Sequence, residues 1–501
     1  MITSGAPDAE RVVERSAAPG VAGRVVRNSS LRAAGELVGK FSSLALMSIL
    51  ARREGVTGLG VFVFALAWAE LSTVLIGAGV DRLLLRRVAR DRSEADRCLY
   101  AVGALKLAEA VPLVVASWLL VWLLGYDEQT RVIVYLMTVS LLVDSLSTTV
   151  FAVFDGLERG HLIGLTLMVQ RLIAGALGIA ALLLGHGVEL VAGALMAASV
   201  AAFAVAVAVL ARQIGLPAFV RRPGGLRELR RDRPPLAAQE LLSSGIARLD
   251  AVLISAFAGA AAVGLYGAAY RLLEATLFVS LALISAFSAM YAYLGRTTVP
   301  TIDAVVARSL KLSLVLLLPV AVTLAVLPGP ILDLLFGGGF EGAVTPLRIL
   351  APTVVVLGIV MLTSALIASR QAPRVLLGCF AIGLAVNLVA NVIMIPAFGA
   401  TGAASAMLAT EIVLTVVLMR ITVRLVGRFD LRATVGSALL AGAGMALMMV
   451  ALAAILPVAL LAGTVVYVGA FALAERRLAP SDLELVLAAA RQRLPVRRER
   501  R

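Results

Sequence analysis

Cysteine, histidine and lysine are scarce in this chain of 501 residues, and so is charge in general. The sequence has two cysteines and two histidines, and only 15% of its residues are charged. Cys98 and Cys379 lie far apart in apolar surroundings, which argues against a disulfide or a metal clip. The sequence also lacks a phosphate-binding GxxxxGK[ST] loop, because GELVGK ends at Lys40 with the wrong spacing and no following Ser or Thr. We therefore expect no ATP hydrolysis and neither a metal nor another cofactor.

Apolar residues are present in excess. Hydrophobic side chains make up 60% of the chain, and the mean hydropathy is +0.98. A water-soluble fold cannot bury this much apolar surface, so the sequence predicts a membrane protein. Residues 1–30 are polar and dotted with arginine, without the pattern of a cleaved signal peptide. We expect this tail to be kept.

Fourteen stretches are long and apolar enough to cross about 30 Å of hydrocarbon as helices of about 20 residues. The sequence therefore predicts an all-α polytopic membrane protein with about fourteen transmembrane helices. The centres of these stretches fall near residues 42, 69, 112, 143, 174, 200, 247, 278, 318, 356, 384, 410, 443 and 464.

Arginine is concentrated on alternate loops, as expected for loops that face the cytoplasm. The arginine-rich segments are 82–97, 212–233, 420–432 and 476–501. This alternation predicts a multi-pass protein of the cytoplasmic (inner) membrane with both termini in the cytoplasm. His161 and His186 then face opposite sides of the membrane and cannot share a metal ion. The net charge of +14 reflects this topology rather than nucleic-acid binding.

The sequence resembles itself after a shift of 204 residues. The shift aligns AAGEL with AAQEL, so that Glu36 falls on Glu240, and it also aligns Glu70 with Glu274. An offset of six spans preserves orientation and predicts two parallel, pseudo-symmetric six-helix lobes, with the repeated carboxylates facing a central cleft. The predicted segments are a cytoplasmic N-terminal tail (1–30), an N-lobe (31–212), a basic cytoplasmic linker (213–235), a C-lobe (236–425), two C-terminal helices (434–475) and a basic amphipathic cytoplasmic tail (476–501).

Ionisable residues inside the predicted spans cost roughly 2.5–3.5 kcal/mol each on insertion scales, so they indicate an interior that is paired or wet. Three pairs have the spacing of partners on one helix face: Glu36 with Lys40, Lys106 with Glu109, and Arg271 with Glu274. Arg171 and Arg248 have no such local acid and are candidates for holding a ligand. The acids either couple transport to H⁺ or Na⁺ or serve as structural hydrogen-bonding groups: Glu36, Glu70, Asp144, Glu240, Asp250, Glu274 and Glu411.

Four segments resemble the oligosaccharide flippases, the polysaccharide-transporter branch of the multidrug/oligosaccharidyl-lipid/polysaccharide exporter superfamily. They are GVTGLGVFVFALAWAELSTVLIGAGVDRLLLRRVAR, FDGLERGHLIGLTLMVQRLIAG, RLDAVLISAFAGAAAVGLYGAAYRLLE and IPAFGATGAASAMLATE. The resemblance covers roughly residues 25–425. It implies a transporter rather than an enzyme, which moves a polyprenyl-pyrophosphate-linked oligosaccharide across the cytoplasmic membrane for cell-surface polysaccharide biosynthesis. Membrane lipids and the glycan polymerase or glycosyltransferase machinery are the implied partners.

Such a substrate would be held at both its charged and its sugar portions. Guanidinium groups bind phosphate oxygens through paired, charge-assisted hydrogen bonds. The predicted pyrophosphate anchor is Arg171, Arg248 and Arg271, with Lys40 as a first contact near the cytoplasmic entrance. The candidates for sugar contacts are Tyr266, Tyr270, Gln170, Asn387 and Asn391. Alternating access would follow from rocking of the two lobes.

Two other functions compete with this reading. A drug or cation antiporter of the same superfamily would need a cleft dominated by acids. A polytopic glycan polymerase or ligase would need a large external loop with catalytic residues, which the sequence lacks. Beyond the last span, SDLELVLAAARQRL begins with a capping box of Ser481 and Glu484. This segment predicts an amphipathic helix on the anionic cytoplasmic leaflet.

Overall fold

The computed structural model describes residues 19–213, 215, 226–294, 302–370, 373–427 and 431–478. Across these residues the chain is helical and has no strand, which confirms the predicted all-α class. The predicted tail helix at Ser481 lies outside the described residues. The helices are α1 (Pro19–Thr73), α2 (Val80–Arg90), α3 (Glu94–Leu123), α4 (Glu128–Gly156), α5 (Gly160–Leu183), α6 (Val188–Gln213), α7 (Leu226–Leu294), α8 (Ile302–Val326), α9 (Pro328–Phe336), a 3₁₀ turn (Glu341–Ala343), α10 (Val344–Ser369), α11 (Pro373–Val426), α12 (Leu431–Ala451) and α13 (Leu456–Leu478).

Ten of the described helices contain a segment long and apolar enough to cross a membrane, so the protein is multi-pass. Two of these segments, Arg233–Ile284 in α7 and Arg374–Val426 in α11, have 52 and 53 residues. At about 1.5 Å per residue a straight helix of that length would measure about 78 Å, against about 30 Å of hydrocarbon. Such segments have to bend back. The count of fourteen crossings stays a prediction.

The long helices α1, α7 and α11 each break at one glycine. Gly55 has φ 69° and ψ −167°, and Gly259 has φ 78° and ψ 176°, a backbone region that is essentially restricted to glycine. Gly399 has φ 54°. No atom lies within 4 Å of the place where a Cβ would stand at Gly55 or Gly259, so the backbone alone requires glycine there. Gly55 and Gly259 are also 204 residues apart, which extends the internal repeat to backbone conformation.

Large apolar side chains cover the outside of several helices. On α3 they recur every three or four residues, which places them on one face of the helix. In water such a stripe would be unfavourable, whereas on a membrane helix it meets lipid. The exposed residues of this stripe are Leu107, Val111, Val115, Leu119 and Trp122.

The chain divides into two compact units, Met1–Val252 and Leu253–Arg501, called here unit 1 and unit 2. In unit 1, α5 packs on α1 and α6, α4 packs on α6, and α2 lies against α3 and α4. In unit 2, α10 packs on α11 and α8, and α12 packs on α13 and α8. The division falls inside α7, whereas the sequence places the lobe boundary in the linker 213–235. The predicted lobe limits stay a prediction.

A buried ion pair ties the two C-terminal helices to the rest of unit 2. Lys311 of α8 binds Glu475 of α13, and both residues are less than a tenth exposed. Tyr467 of α13 also donates to the Val315 carbonyl at 3.0 Å. Removing either ion-pair partner would leave a buried charge uncompensated. The appended helices are therefore anchored by polar contacts as well as by apolar packing.

Asp127 caps the start of α4, outside the membrane-crossing segments. Its carboxylate accepts from the Thr130 hydroxyl at 2.6 Å and from the Thr130 amide at 3.0 Å. Burial acts to raise the pKa of Asp127, but these hydrogen bonds to the charged form hold that pKa below its usual value. The cap satisfies one of the amide donors that every helix start leaves without an intrahelical acceptor.

Candidate functional site

A cavity of about 440 Å³ lies inside unit 1, among α1, α2, α4 and the first part of α7. Serines and threonines form much of its polar wall. The charged residues that line it are Glu70, Asp81, Asp144, Glu240 and Arg248. A polar hole of this kind among membrane helices gives the intramembrane charges the sheltered setting that their cost requires.

Arg248 of α7 forms an ion pair with Glu70 of α1 in the wall of this cavity. Both side chains are about a quarter exposed, so the pair is only partly screened by solvent. The sequence shows no acid on the same helix face as Arg248, and its partner comes from a helix far away in the chain. The guanidinium that was expected to hold a ligand is therefore occupied by a carboxylate of the protein.

Asp144 is fixed by a short hydrogen-bond network between α4, α5 and α6. The Gln170 amide donates to Asp144 at 2.6 Å and to Ser199 at 3.1 Å, and Ser199 lies 3.0 Å from Ser140. Gln170 is buried. The residue predicted to contact sugar thus orients an acid in the cavity wall.

Arg171 follows Gln170 on α5 and is exposed. Its side chain covers Gly39 of α1, where an added Cβ would stand 3.0 Å from the Arg171 Cγ. It also lies within electrostatic reach of Asp144. Lys40 is partly exposed on α1 beside this position. The side chain of Glu36 lies outside what the structure describes, so its predicted pairing with Lys40 stays a prediction.

Lys106 is 1% exposed and binds Asp81 at 2.7 Å, not Glu109. The predicted pairing of Lys106 with Glu109 is therefore wrong. The reason is that the first turn of α2 brings Asp81 directly against α3, and the Thr148 and Thr149 hydroxyls of α4 also donate to Asp81 at 2.8 and 3.0 Å. Sequence spacing can identify partners only on one helix, whereas Lys106 and Asp81 lie on two different helices.

Glu109 instead binds Arg233, at the start of α7. Its carboxylate also accepts from the Gly77 amide at 2.9 Å. Two residues further along the chain, the Gly79 amide donates to Glu240 at 2.9 Å. Glu240, one of the repeated carboxylates, therefore caps the turn between α1 and α2.

The remaining candidates on the second part of α7 lie in unit 2. Arg271 binds Glu274 at 2.7 Å, which confirms this predicted pair. Tyr266 and Tyr270 stack with ring centroids 5.7 Å apart, and Tyr266 is buried. Glu70 and Glu274, which the shift of 204 residues aligns, thus each bind an arginine. The two arginines, Arg248 and Arg271, are not aligned by that shift.

Helix α11 carries the other polar candidates of unit 2. The Asn391 amide donates to the Asn387 oxygen at 3.0 Å, and both asparagines are fully buried. Glu411 is 2% exposed on the same helix beyond its glycine break. Asp250, at the end of unit 1 on α7, is 1% exposed. The burial of the two acids, Glu411 and Asp250, is compatible with a structural role in hydrogen bonding and also with binding of a coupling ion.

A family model described as "Polysaccharide biosynthesis protein" matches residues 25–297. The match covers more than half of the chain, so the chain belongs to the polysaccharide biosynthesis protein family, as the sequence segments predicted. No curated protein matches the chain.

Solved structures with the same fold come from transporters of the MOP superfamily. Lipid II flippase MurJ, in an inward closed conformation, matches with a TM-score of 0.71 and 14% identity over 89% of this chain and 99% of that one. An inward-facing multidrug resistance MATE transporter matches at 0.61 with 15% identity, over 78% of this chain and 95% of that one. A MOP superfamily transporter from Pyrococcus furiosus, described as having a binding pocket of reverse polarity, matches at 0.60 with 17% identity, over 81% and 96%. The fold is therefore that of MOP superfamily transporters.

Proposed function

We propose that this protein is a flippase that moves a polyprenyl-pyrophosphate-linked oligosaccharide across the cytoplasmic membrane by alternating access. Membership of the polysaccharide biosynthesis family supports this proposal. The observation that carries it is the polar cavity of unit 1, which offers a guanidinium at Arg248 in the wall of a hole among apolar helices. A diphosphate cannot cross hydrocarbon without such a counter-charge. Both chain termini lie in the cytoplasm in this proposal.

The head group binds by an exchange of partners at Arg248. A phosphate offers the guanidinium the same paired oxygen acceptors as a carboxylate does, so the diphosphate takes the place that Glu70 now holds. Released Glu70 then takes up a proton or a sodium ion, which would couple the exchange to the membrane gradient. In unit 1, Arg171 and, at the entrance, Lys40 are the further proposed basic contacts. Arg271 stays a proposed basic contact of unit 2.

The sugars and the lipid tail occupy different places. A volume of about 440 Å³ lies in the range of about 300–1,000 Å³ that is usual for small-molecule sites, which suits a head group and not a polyprenyl chain. The tail therefore stays in lipid while serine and threonine hydroxyls of the cavity wall bind the first sugar. Gln170, Tyr266, Tyr270, Asn387 and Asn391 remain the candidates for further sugar contacts.

Leaflet exposure of a fluorescent polyprenyl-pyrophosphate oligosaccharide in reconstituted vesicles tests the proposal. We expect protein-dependent movement of this lipid, reduced at least tenfold by Arg248→Ala, because charge-assisted hydrogen bonds are worth about 1.5–3 kcal/mol. The matched control is Arg212→Ala, which removes an exposed arginine at the end of α6. Absence of movement with the unaltered protein would overturn the flippase proposal.

A cation or drug antiporter is the second candidate. Four carboxylates and one guanidinium line the cavity, a balance that favours a cationic ligand. The same Arg248→Ala variant separates the two functions. Loss of the arginine would leave efflux of a cationic dye intact or increase it, whereas it would abolish movement of a diphosphate lipid.

A further inference from the structure

The turn between α1 and α2 is held by charged side chains from two other helices. Within residues 74–79, Gly77 and Gly79 have φ of 70° and 74°, a left-handed conformation that favours glycine. Their amides donate to Glu109 of α3 and to Glu240 of α7, each at 2.9 Å. An added Cβ at Gly79 would stand 2.8 Å from the Ala237 nitrogen, and one at Gly77 would stand 2.5 Å from the Lys106 Cε, so neither position has room for a side chain.

Arg233 closes this arrangement from α7. Its Nε donates to the Ala78 carbonyl at 2.9 Å, and its guanidinium binds the Glu109 carboxylate at two nitrogens. Turn 74–79, Glu109, Arg233 and Glu240 together are called the clasp. Arg233 and Glu240 join the first part of α7 to the turn and to α3, and Glu109 joins the turn to α3.

The clasp is aligned with the cavity along one face of α7. Arg233, Glu240 and Arg248 are spaced by seven and eight residues, about two helical turns each, which keeps them on nearly the same side of the helix. From Arg233 to Arg248 the helix rises about 22 Å. In the proposed topology the clasp therefore lies at the cytoplasmic end of the cavity and the Arg248–Glu70 pair lies deeper.

The contacts of the clasp are polar and partly hydrated. The side chains of Arg233 and Glu109 are 18% and 26% exposed, so water can replace each bond as it breaks. Net contributions of such bonds are modest. A contact of this kind opens and re-forms far more readily than an apolar helix interface does, because no dry core has to be exposed.

We propose that the clasp is the cytoplasmic gate of the cavity, which opens when Arg233 and Glu240 release turn 74–79. Its role in transport rests on the proposed function, whereas its control of access to the cavity does not. Opening lets the first part of α7 move away from α3, and the glycine break at Gly259 offers a hinge on the same helix.

Access is measured with a cysteine reporter. In a background with Cys98→Ala and Cys379→Ala, Ser244→Cys places a single thiol in the cavity wall. Its rate of modification by a membrane-impermeant maleimide is followed from the cytoplasmic face of inside-out vesicles. We expect Arg233→Gln to raise this rate roughly tenfold. Glu240→Ala, which breaks a different arm, should raise it as well.

Arg231→Gln is the matched control, because Arg231 is an exposed arginine two residues away on the same helix. It should leave the rate unchanged. An unchanged rate in both Arg233→Gln and Glu240→Ala would overturn the gate, and so would an equal increase in Arg231→Gln. If Arg233→Gln does not fold, the modification rate in Glu240→Ala alone tests the gate, and an unchanged rate there overturns it.

A reversible cross-link then relates the gate to transport. Glu109→Cys with Arg233→Cys, joined by a short bifunctional thiosulfonate, should stop flipping, and reduction should restore it. Flipping that continues while the two positions are joined would overturn the gate. Absence of flipping by the unaltered protein, together with the expected maleimide result, would instead contradict the proposed function and leave the gate standing.

Discussion

At the level of single residues, most charges in and beside the cavity of unit 1 are held in two ion pairs and one cap. Arg248 binds Glu70, Lys106 binds Asp81, and Glu240 accepts an amide of the turn between α1 and α2. Each pair offsets part of the cost of keeping an ion away from water. The same pairing means that a ligand has to displace a carboxylate of the protein before it can use a cation.

Replacing Glu70 tests whether it competes with the ligand for Arg248. In Glu70→Gln the neutral amide holds the guanidinium less strongly, so we expect a soluble sugar pyrophosphate to bind about tenfold more tightly. Isothermal titration in detergent measures the dissociation constant. Glu128→Gln, an exposed acid at the start of α4, should leave it unchanged. Weaker binding in Glu70→Gln would show that Glu70 supports the ligand instead.

Lys106 and Asp81 should behave as a coupled pair. Lys106 is almost fully buried, so Asp81→Leu leaves an ammonium without its counter-ion and should lower the free energy of unfolding by about 3 kcal/mol. The double variant Asp81→Leu, Lys106→Met should recover most of this loss. Denaturation midpoints of the two single variants and the double variant form a mutant cycle. Additive losses would contradict a direct coupling.

Sequence spacing could predict only part of this pairing. The i, i+3 rule found Arg271 with Glu274 because both lie on one helix face. It paired Lys106 wrongly, since a short helix folded against α3 supplies a nearer acid. The partner of Arg248 could not be inferred, because contacts between α1 and α7 depend on tertiary packing and not on local spacing.

At the level of elements, single glycines take the place of loops in α1, α7 and α11. The sequence placed two spans in each of these regions, and the structure joins each pair through a left-handed residue. Hydropathy could locate the two apolar helical segments, or legs, on either side of each glycine. It could not show that Gly55 and Gly259 share a backbone conformation, because hydropathy carries no information on φ and ψ.

Alanine at these positions should be costly without any steric clash. Gly55→Ala and Gly259→Ala should each lower the free energy of unfolding by about 1–3 kcal/mol, because the backbone there disfavours every residue with a Cβ. Gly103→Ala is the matched control, since Gly103 lies inside α3 with equally open space around it and helix propensity favours alanine. Thermal unfolding of the purified variants gives the comparison. Equal midpoints for all three variants would contradict the assignment.

At the level of the whole molecule, unit 1 and unit 2 are each built from long helices, and the first part of α7 belongs to unit 1. The internal repeat predicted two lobes from a few aligned residues. It could not predict that division, because side chains of α7 such as Arg233 and Glu240 bind the turn and α3 through contacts that the repeat does not contain.

Cysteine scanning tests the proposed orientation of the entire chain. Ser93→Cys, in the turn before α3, should react with an impermeant maleimide only from the cytoplasmic side. Gln129→Cys, at the start of α4, should react only from the opposite side. Both positions are exposed. Reaction of both from one side would overturn the predicted topology, whose arginine distribution requires that they differ.

The glycine joints also bear on how such a chain enters a bilayer during synthesis. The two legs of α11 are synthesised as one 53-residue apolar stretch. No hydrophilic loop separates them that could stay in water while the first leg inserts. Backbone amides at the joint find no partner within hydrocarbon. If both legs cross the membrane, we expect them to leave the translocon together, as a hairpin whose tip stays at the lipid surface.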